Sequence, residues 1–335
     1  MGGERGTNMD TTAPHNAIAD HYEVVVIGGG AAGLSGALAL SRARRSVLVV
    51  DEGRPRNAPA AGVHTFLTRE GTPPAQLLEI GRAEITGYGA QVRTGRVVHA
   101  RARDEGGFDV HLEDGAALTA DRLLVATGLV DELPPIPGLA ERWGRDVLHC
   151  PYCHGWEVRD EAIGVVATNA MAVHQALLWR QWSSRVTLLQ HGGADLDRGE
   201  RDRLRARGVG VVAGPVSRVL TEDDRLVGVE TADGATVELR ALVVATYLRA
   251  RVRGLEGLGL KVAQAQAMGQ VVGTQVETDA MGATNVPGVW AAGNAATPFD
   301  QVVGGAAAGL RAGAAINADL VAEQARRAVE ALPAA

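Results

Sequence analysis

Two kinds of apolar pattern alternate along this chain. Short, fully apolar runs such as Val24-Val25-Val26-Ile27 and Val47-Leu48-Val49-Val50 read as strands buried on both faces. Between them an Ala- and Leu-rich stretch, opened at Gly33 and reaching about Arg44, predicts a helix. Further strands are predicted at Leu123-Leu124-Val125, Ala162-Ile163-Gly164-Val165-Val166, Val186-Thr187-Leu188-Leu189 and Leu242-Val243-Val244. The segments Asp109 to Thr119 and Leu226 to Leu239, with turns near Asp114-Gly115 and Asp233-Gly234, read as hairpins. The fold class expected is α/β, with parallel three-layer sheets, and the two halves look like a degenerate duplication.

Composition narrows the picture only in places. At 335 residues the chain suits two ordinary domains or one large one. It is 46% hydrophobic but only 4% aromatic, so Ala, Val, Leu and Gly must do the packing. A net charge of -6 gives no electrostatic reason to expect nucleic acid. No apolar run reaches membrane-spanning length, so no membrane partner is expected. The first twenty residues are polar and mixed in charge, without an apolar signal core, and read as a disordered tail in which Met9 is an alternative start. Gly6 stands where a myristoylation signal needs Ser or Thr. The expected location is therefore the cytoplasm.

The strand His21 to Ile27 runs directly into Gly28-Gly29-Gly30-Ala31-Ala32-Gly33, and the second strand ends at Asp51. This is a dinucleotide fingerprint in full strand–helix–strand context. Gly28 permits the turn, Gly30 lets the backbone approach a pyrophosphate at the helix N-terminus, and Gly33 allows helix and strand to pack closely. Asp51 is placed to accept from ribose hydroxyls. A second turn follows the strand at Val166 and reads Ala167-Thr168-Asn169-Ala170-Met171-Ala172. Its first two glycine positions hold Ala167 and Asn169, whose side chains would push into the space a pyrophosphate needs. The following strand ends in Gln190-His191-Gly192-Gly193 with no arginine cluster for a 2′-phosphate. Productive NADPH binding is not expected there, although weak binding is the alternative.

The two cysteines of the chain lie in one run, His149-Cys150-Pro151-Tyr152-Cys153-His154-Gly155. A C-x-x-C pair can cycle between dithiol and disulfide, and its setting can lower one thiol's pKa. His149 and His154 are candidate proton carriers. A zinc site would have to crowd four ligands into six consecutive residues, so no metal is expected. C-x-x-C-H is also a haem-attachment pattern, but that chemistry needs export. A buried structural pair is the bland reading.

Three later segments decide between these readings. Ala126-Thr127-Gly128 ends one strand, and Ala245-Thr246 repeats it. Gly288-Val289-Trp290-Ala291-Ala292-Gly293-Asn294 then precedes Gln301-Val302-Val303-Gly304-Gly305-Ala306, which opens an Ala/Gly-rich helix. Order and spacing resemble the flavoprotein disulfide reductases of the low-molecular-weight thioredoxin reductase type over nearly the whole chain after residue 20. The resemblance implies FAD, held by Gly28, Gly30, Ala31, Ala32, Gly33, Asp51, Ala126, Thr127, Gly128, Gly293, Asn294, Gln301, Val302 and Val303. Residues around Val302 and Val303 would offer backbone N–H groups to the flavin pyrimidine end. The family's acid is replaced by Asn294, whose amide can still serve a hydroxyl.

The resemblance also implies a domain plan: a tail 1–20, a FAD domain 21–138 plus 250–335, and an inserted domain 139–249 entered through the Pro-rich Leu133 to Gly138. Cys153 would be the flavin-side thiol of low pKa, forming the charge-transfer thiolate and flavin C4a adduct, and Cys150 the outer, exchanging thiol. A homodimer is likewise implied. The run Cys-Pro-Tyr-Cys-His-Gly departs from thioredoxin reductases and resembles the dithiol oxidases that close disulfides in holomycin- and gliotoxin-type natural products. That implies a small-molecule dithiol substrate and molecular oxygen as acceptor, giving hydrogen peroxide. The alternatives are an NADPH- or ferredoxin-dependent thioredoxin reductase and a flavin-binding protein with an inert pair. His64, in Gly62 to Glu70, is expected near the flavin as a satisfied polar residue, with a catalytic role as the minority reading. Trp179 and Trp182 are expected on one helix, in core or interface.

Overall fold

The structure, a computed structural model, describes residues 19–192 and 195–333. The expected tail lies almost wholly outside the described residues. The chain opens with β1 (His21–Ile27), α1 (Ala31–Arg42) and β2 (Val47–Asp51), the unit expected from the sequence. It continues through α2 (Pro74–Gly87), β3 (Gln91–Thr94), β4 (Val97–Ala102), β5 (Phe108–Leu112) and β6 (Ala117–Val125). The sheet order is β3-β2-β1-β6-β5-β4. Strands β1, β2, β3 and β6 are parallel; β4 and β5 add an antiparallel flap, and β5 with the start of β6 forms the expected hairpin.

The apolar runs explain the layering. Val24 and Val26 face one core and Val25 and Ile27 the other, all 5% exposed or less. A strand with period-2 side chains and two apolar faces must be covered on both sides. Each such side chain is worth about 1.5–3 kcal/mol in burial.

Strand β7 (Leu129–Glu132) carries the chain out of this domain, ahead of the proline-rich stretch. Between it and the return come β8 (Val147–Leu148), α3 (Pro151–His154), β9 (Ile163–Val166), α4 (Ala172–Trp179), β10 (Val186–Leu189), α5 (Arg198–Ala206), β11 (Gly210–Val212), β12 (Val216–Glu222), β13 (Arg225–Thr231), β14 (Thr236–Glu238) and β15 (Ala241–Val244). A parallel sheet β11-β10-β9-β15-β8 forms the centre of this inserted domain, and β12-β13-β14 form a separate antiparallel sheet. Here too the runs split between two cores: Ile163, Val165, Leu188 and Val243 on one side, Val166, Leu189, Leu242 and Val244 on the other. Trp179 is fully buried and closes α4. Trp182 was expected on that helix but lies in the turn after it, its ring edge-on to Tyr152.

The return strand β16 (Tyr247–Ala250) pairs antiparallel with β7, so the two crossings are stitched together. β17 (Val262–Ala267) and β18 (Gln270–Val276) extend that sheet. β19 (Val289–Ala291) lies parallel to the end of β6, and α6 (Val302–Glu330) closes the outer domain. α6 lies tightly on α1 because glycines face each other. A Cβ at Gly309 would strike the Ala32 carbonyl, and one at Gly313 would lie 2.7 Å from the Gly36 oxygen. No described helix is long and apolar enough to cross a membrane.

Candidate active site

The ends of β1, β2, β6 and β19 open onto one cavity of about 1200 Å³. Three glycines at the end of β1 divide the labour of the turn as the sequence suggested. Gly28 has φ +109°, and a Cβ there would strike the Ala126 carbonyl. A Cβ at Gly33 would strike the Gly28 carbonyl, so that glycine seats α1 on β1. A Cβ at Gly30 would meet nothing within 4 Å; it would stand in the open cavity at the N-cap of α1. The first N–H groups of α1 have no helical partner and face a dipole-positive end. Bare backbone plus open space is what a pyrophosphate requires.

Asp51 ends β2 and accepts from the Gly29 N–H at 3.0 Å, with Arg82 3.7 Å from its other oxygen. Ala31, Ala32, Ala126, Thr127, Gly128, Gly293, Asn294, Gln301 and Val302 line the same cavity. Thr127 Oγ1 donates to the Arg251 carbonyl at 2.6 Å, while Gly128 and Gly293 adopt φ of +72° and +68°. The donor set and the Gly30 opening therefore fit FAD. Asn294 turns its NH2 onto its own loop, donating to the carbonyls of Thr297 and Asp300 at 3.1 and 2.8 Å. The Val303 side chain is at the surface, so this residue can offer only its backbone N–H in the first turn of α6.

Cys150 and Cys153 line the far end of that cavity. Both are free thiols. Cys150 is the N-cap of α3, with Pro151 at the first helical position. The two thiols share one hydrogen bond, Cys153 donating to Cys150. The Cys150 thiol is lowered to about 7, chiefly by the hydrogen bond from the Cys153 thiol, with the N–H groups of Cys153 and Tyr152 and the Gln301 amide adding to it against burial. Cys153 is pushed up because it donates to Cys150, is buried, and faces the Cys150 charge. Gln301 Nε2 stands 3.8 Å from Cys150 Sγ, and its Oε1 accepts from Thr65.

The two histidines also separate. Burial drives His149 down to about 4, and the Arg56 charge adds to this against Asp131. His149 is therefore neutral, stacked on Trp143 with centroids 5.6 Å apart, and too weakly basic to take thiol protons at neutral pH. His154 is lowered by burial, opposed by the Glu157 charge, and remains the candidate base beside the pair. His64 Nδ1 donates to the Glu70 carboxylate at 2.6 Å, and its Nε2 lies 3.4 Å from Glu157, so it joins the two domains beside the cavity. Sequence reasoning missed Arg56, Asp131 and Thr246. Arg56 and Asp131 sit in no motif, Thr246 stood out only as the end of the repeated Ala-Thr pattern, and only the fold brings the three together.

The second turn is closed differently from the sequence argument. Ala167 does not intrude on a ligand space; its methyl is buried in the core among Leu148, Val165 and Val173. Asn169 folds back on the turn, its Oδ1 accepting from the Met171 N–H at 3.0 Å. Thr168 Oγ1 donates to the Ala245 carbonyl at 3.2 Å.

Residues 22–325 match the family model described as pyridine nucleotide-disulphide oxidoreductase. The chain belongs to that family. Among curated relatives, thioredoxin reductase sirT of Leptosphaeria maculans is 31% identical, covering 88% of this chain and 93% of that protein. Thioredoxin reductase tcpT of Claviceps purpurea is 32% identical, covering 90% and 95%. Among solved structures, that of HlmI matches with a TM-score of 0.85 and 47% identity over 93% of this chain and 96% of the other. The oxidoreductase of Agrobacterium tumefaciens matches at TM-score 0.83 and 37% identity, over 90% and 99%. The thioredoxin reductase-like kinship expected from the sequence is thus established over nearly the whole chain, and with it a flavoprotein oxidoreductase fold.

Proposed function

We propose that this protein oxidises a small-molecule dithiol to a disulfide, with dioxygen reduced to hydrogen peroxide, in natural-product biosynthesis or self-protection. The balance is R(SH)2 + O2 to R(S–S) + H2O2. One observation supports the reading: the C-x-x-C pair lines the same cavity as the flavin cradle, while in the turn after β9 the Asn169 side chain takes up the Met171 N–H from within the chain. Bound FAD supplies a two-electron acceptor that oxygen can regenerate.

The chain's own groups account for the thiol chemistry. A substrate thiolate attacks Sγ of Cys150 in the Cys150–Cys153 disulfide, and Cys153 leaves. The second substrate thiol then attacks the substrate sulfur joined to Cys150, releasing the cyclic disulfide. Cys150 is a good leaving group in that step because its thiolate is held by backbone N–H groups. His154, neutral at neutral pH, takes a proton from the incoming thiol. The pair lines the cavity, whose volume of about 1200 Å³ leaves room for a small dithiol.

The names of the curated relatives favour a second reading, a thioredoxin reductase fed by NADPH or ferredoxin. Anaerobic flavin absorbance separates the two. Bleaching by a small dithiol, with recovery and one peroxide per flavin on admitting air, is expected; fast bleaching by NADPH or by reduced ferredoxin would return the protein to the reductases. Cys153→Ser should abolish dithiol turnover, and full turnover in that variant would sink the mechanism.

A further inference from the structure

One loop of the outer domain, residues 54–60, grips the segment that carries the cysteines. Arg56 is its centre. Its Nε and Nη2 donate to the two oxygens of Asp131 at 2.6 and 2.7 Å. Thr246 donates to the same carboxylate at 2.8 Å. Asp131 lies on β7 and Thr246 just precedes β16, so this one carboxylate ties the outgoing crossing to the returning one. Its side chain is 5% exposed. A bidentate fork of this kind fixes the guanidinium plane.

The remaining edge of that plane meets the inserted domain. Arg56 Nη2 lies 3.4 Å from His149 Nε2. A guanidinium has only donors, so Nε2 is the acceptor and the ring carries its hydrogen on Nδ1. Nη1 is 3.5 Å from Asn294 Oδ1. A second contact of the same loop is independent of charge: Gly144, at φ +77°, packs so closely on Pro59 that a Cβ there would lie 2.8 Å from the proline Cβ. Gly144 follows Trp143, on which His149 is stacked.

We propose that Arg56 is a positioning residue: anchored by Asp131, it holds His149, and through it the Cys150–Cys153 turn, against the flavin cradle, so that the inserted domain works in one fixed pose. Swinging the inserted domain away would part the guanidinium from its acceptor and open the Pro59–Gly144 contact. The proposal deepens the dithiol oxidase reading and rests on it for its purpose: a site without nicotinamide traffic has no use for a second pose.

Spin labels test the pose directly. In the FAD-loaded protein with Cys150→Ser and Cys153→Ser, labels at Glu79→Cys on α2 and Arg203→Cys on α5, both exposed, should give one narrow distance distribution. Adding Arg56→Met should broaden it or add a second population. Arg56→Lys, which keeps the charge but loses the fork, should do the same, and it decides the matter should the Met variant lose its flavin. In the cysteine-intact protein, either variant should lower kcat for a dithiol by on the order of tenfold with KM little changed. Two populations in the parent, or a narrow distribution in both variants, would overturn the proposal. Rapid NADPH bleaching of a parent with one narrow distance would overturn the functional reading and leave the Arg56 pin standing.

Discussion

The turns after β1 and β9 occupy equivalent places in two similar sheets, yet they treat their backbone amides differently. After β1 the helix starts four residues on, at Ala31, with an extended Gly30 as its N-cap and nothing in front of the first N–H groups. After β9 it starts six residues on, at Ala172, with Met171 already helical as N-cap. There Asn169 supplies from within the chain the acceptor that a phosphate would supply from outside. An Asx side chain bonding two residues ahead is a stable turn in its own right. The comparison teaches that a turn of this shape can keep its fold while satisfying one of its own amides from within the chain.

The largest effect should come from breaking the first turn. Gly28→Ala forces a side chain into a left-handed backbone and onto the Ala126 carbonyl. A cost of about 2–4 kcal/mol is expected, read as a lower unfolding midpoint together with loss of bound flavin. Gly30→Val is the discriminating partner. Because the space beyond it is open, the protein should fold with a midpoint close to that of the parent yet purify colourless. A yellow Gly30→Val protein would mean that the cavity floor does not carry the pyrophosphate.

This contrast marks how far the sequence could be read. The strands and hairpins were legible because period and turn residues are local signals, and the roles of Gly28, Gly30 and Gly33 follow from spacing alone. The kinship of the C-x-x-C run was legible too. The contacts of the pair were not. They depend on Cys150 capping α3 and on Gln301 arriving from a helix 151 residues further along the chain. The weak basicity of His149 depends on burial and on the Arg56 charge, opposed by Asp131, and these two partners come from an unconnected loop and strand. Ala167 shows the reverse error, since a motif position assigned to ligand space by alignment of spacing turned out to be core.

A smaller effect should follow from reopening the second turn. Asn169→Gly removes the internal acceptor and frees the Met171 N–H, while leaving Ala167 in its core. NADPH-driven anaerobic bleaching should stay slow in the parent and rise by no more than about tenfold in the variant, the worth of one or two backbone contacts to a phosphate. Brisk bleaching of the parent itself would show that the Asn169 contact yields to the nucleotide.

The smallest effect distinguishes the glycine turn, held by backbone contacts, from the ionisable knot that seats the inserted domain. His149 is held down to about 4 in the folded chain against 6.5 when free, by burial first and by the Arg56 charge second. A group whose folded pKa is depressed contributes stability that is complete above its unfolded value and is lost as pH falls towards the folded one. The loss from His149 therefore runs from about pH 6.5 down to about 4. Asp131 acts in the same sense further down: burial raises its pKa, but the Arg56 hydrogen bonds and charge outweigh that, and its contribution fades below the ordinary carboxylate range. The unfolding midpoint of the FAD-loaded protein should thus drop by a few degrees between neutral and mildly acid pH, on the order of 1 kcal/mol. His149→Gln should flatten that slope and leave flavin content unchanged. Should the slope persist in His149→Gln, the acid sensitivity would belong to groups outside the knot, and the neutral imidazole could no longer be counted among the contacts that seat the cysteines.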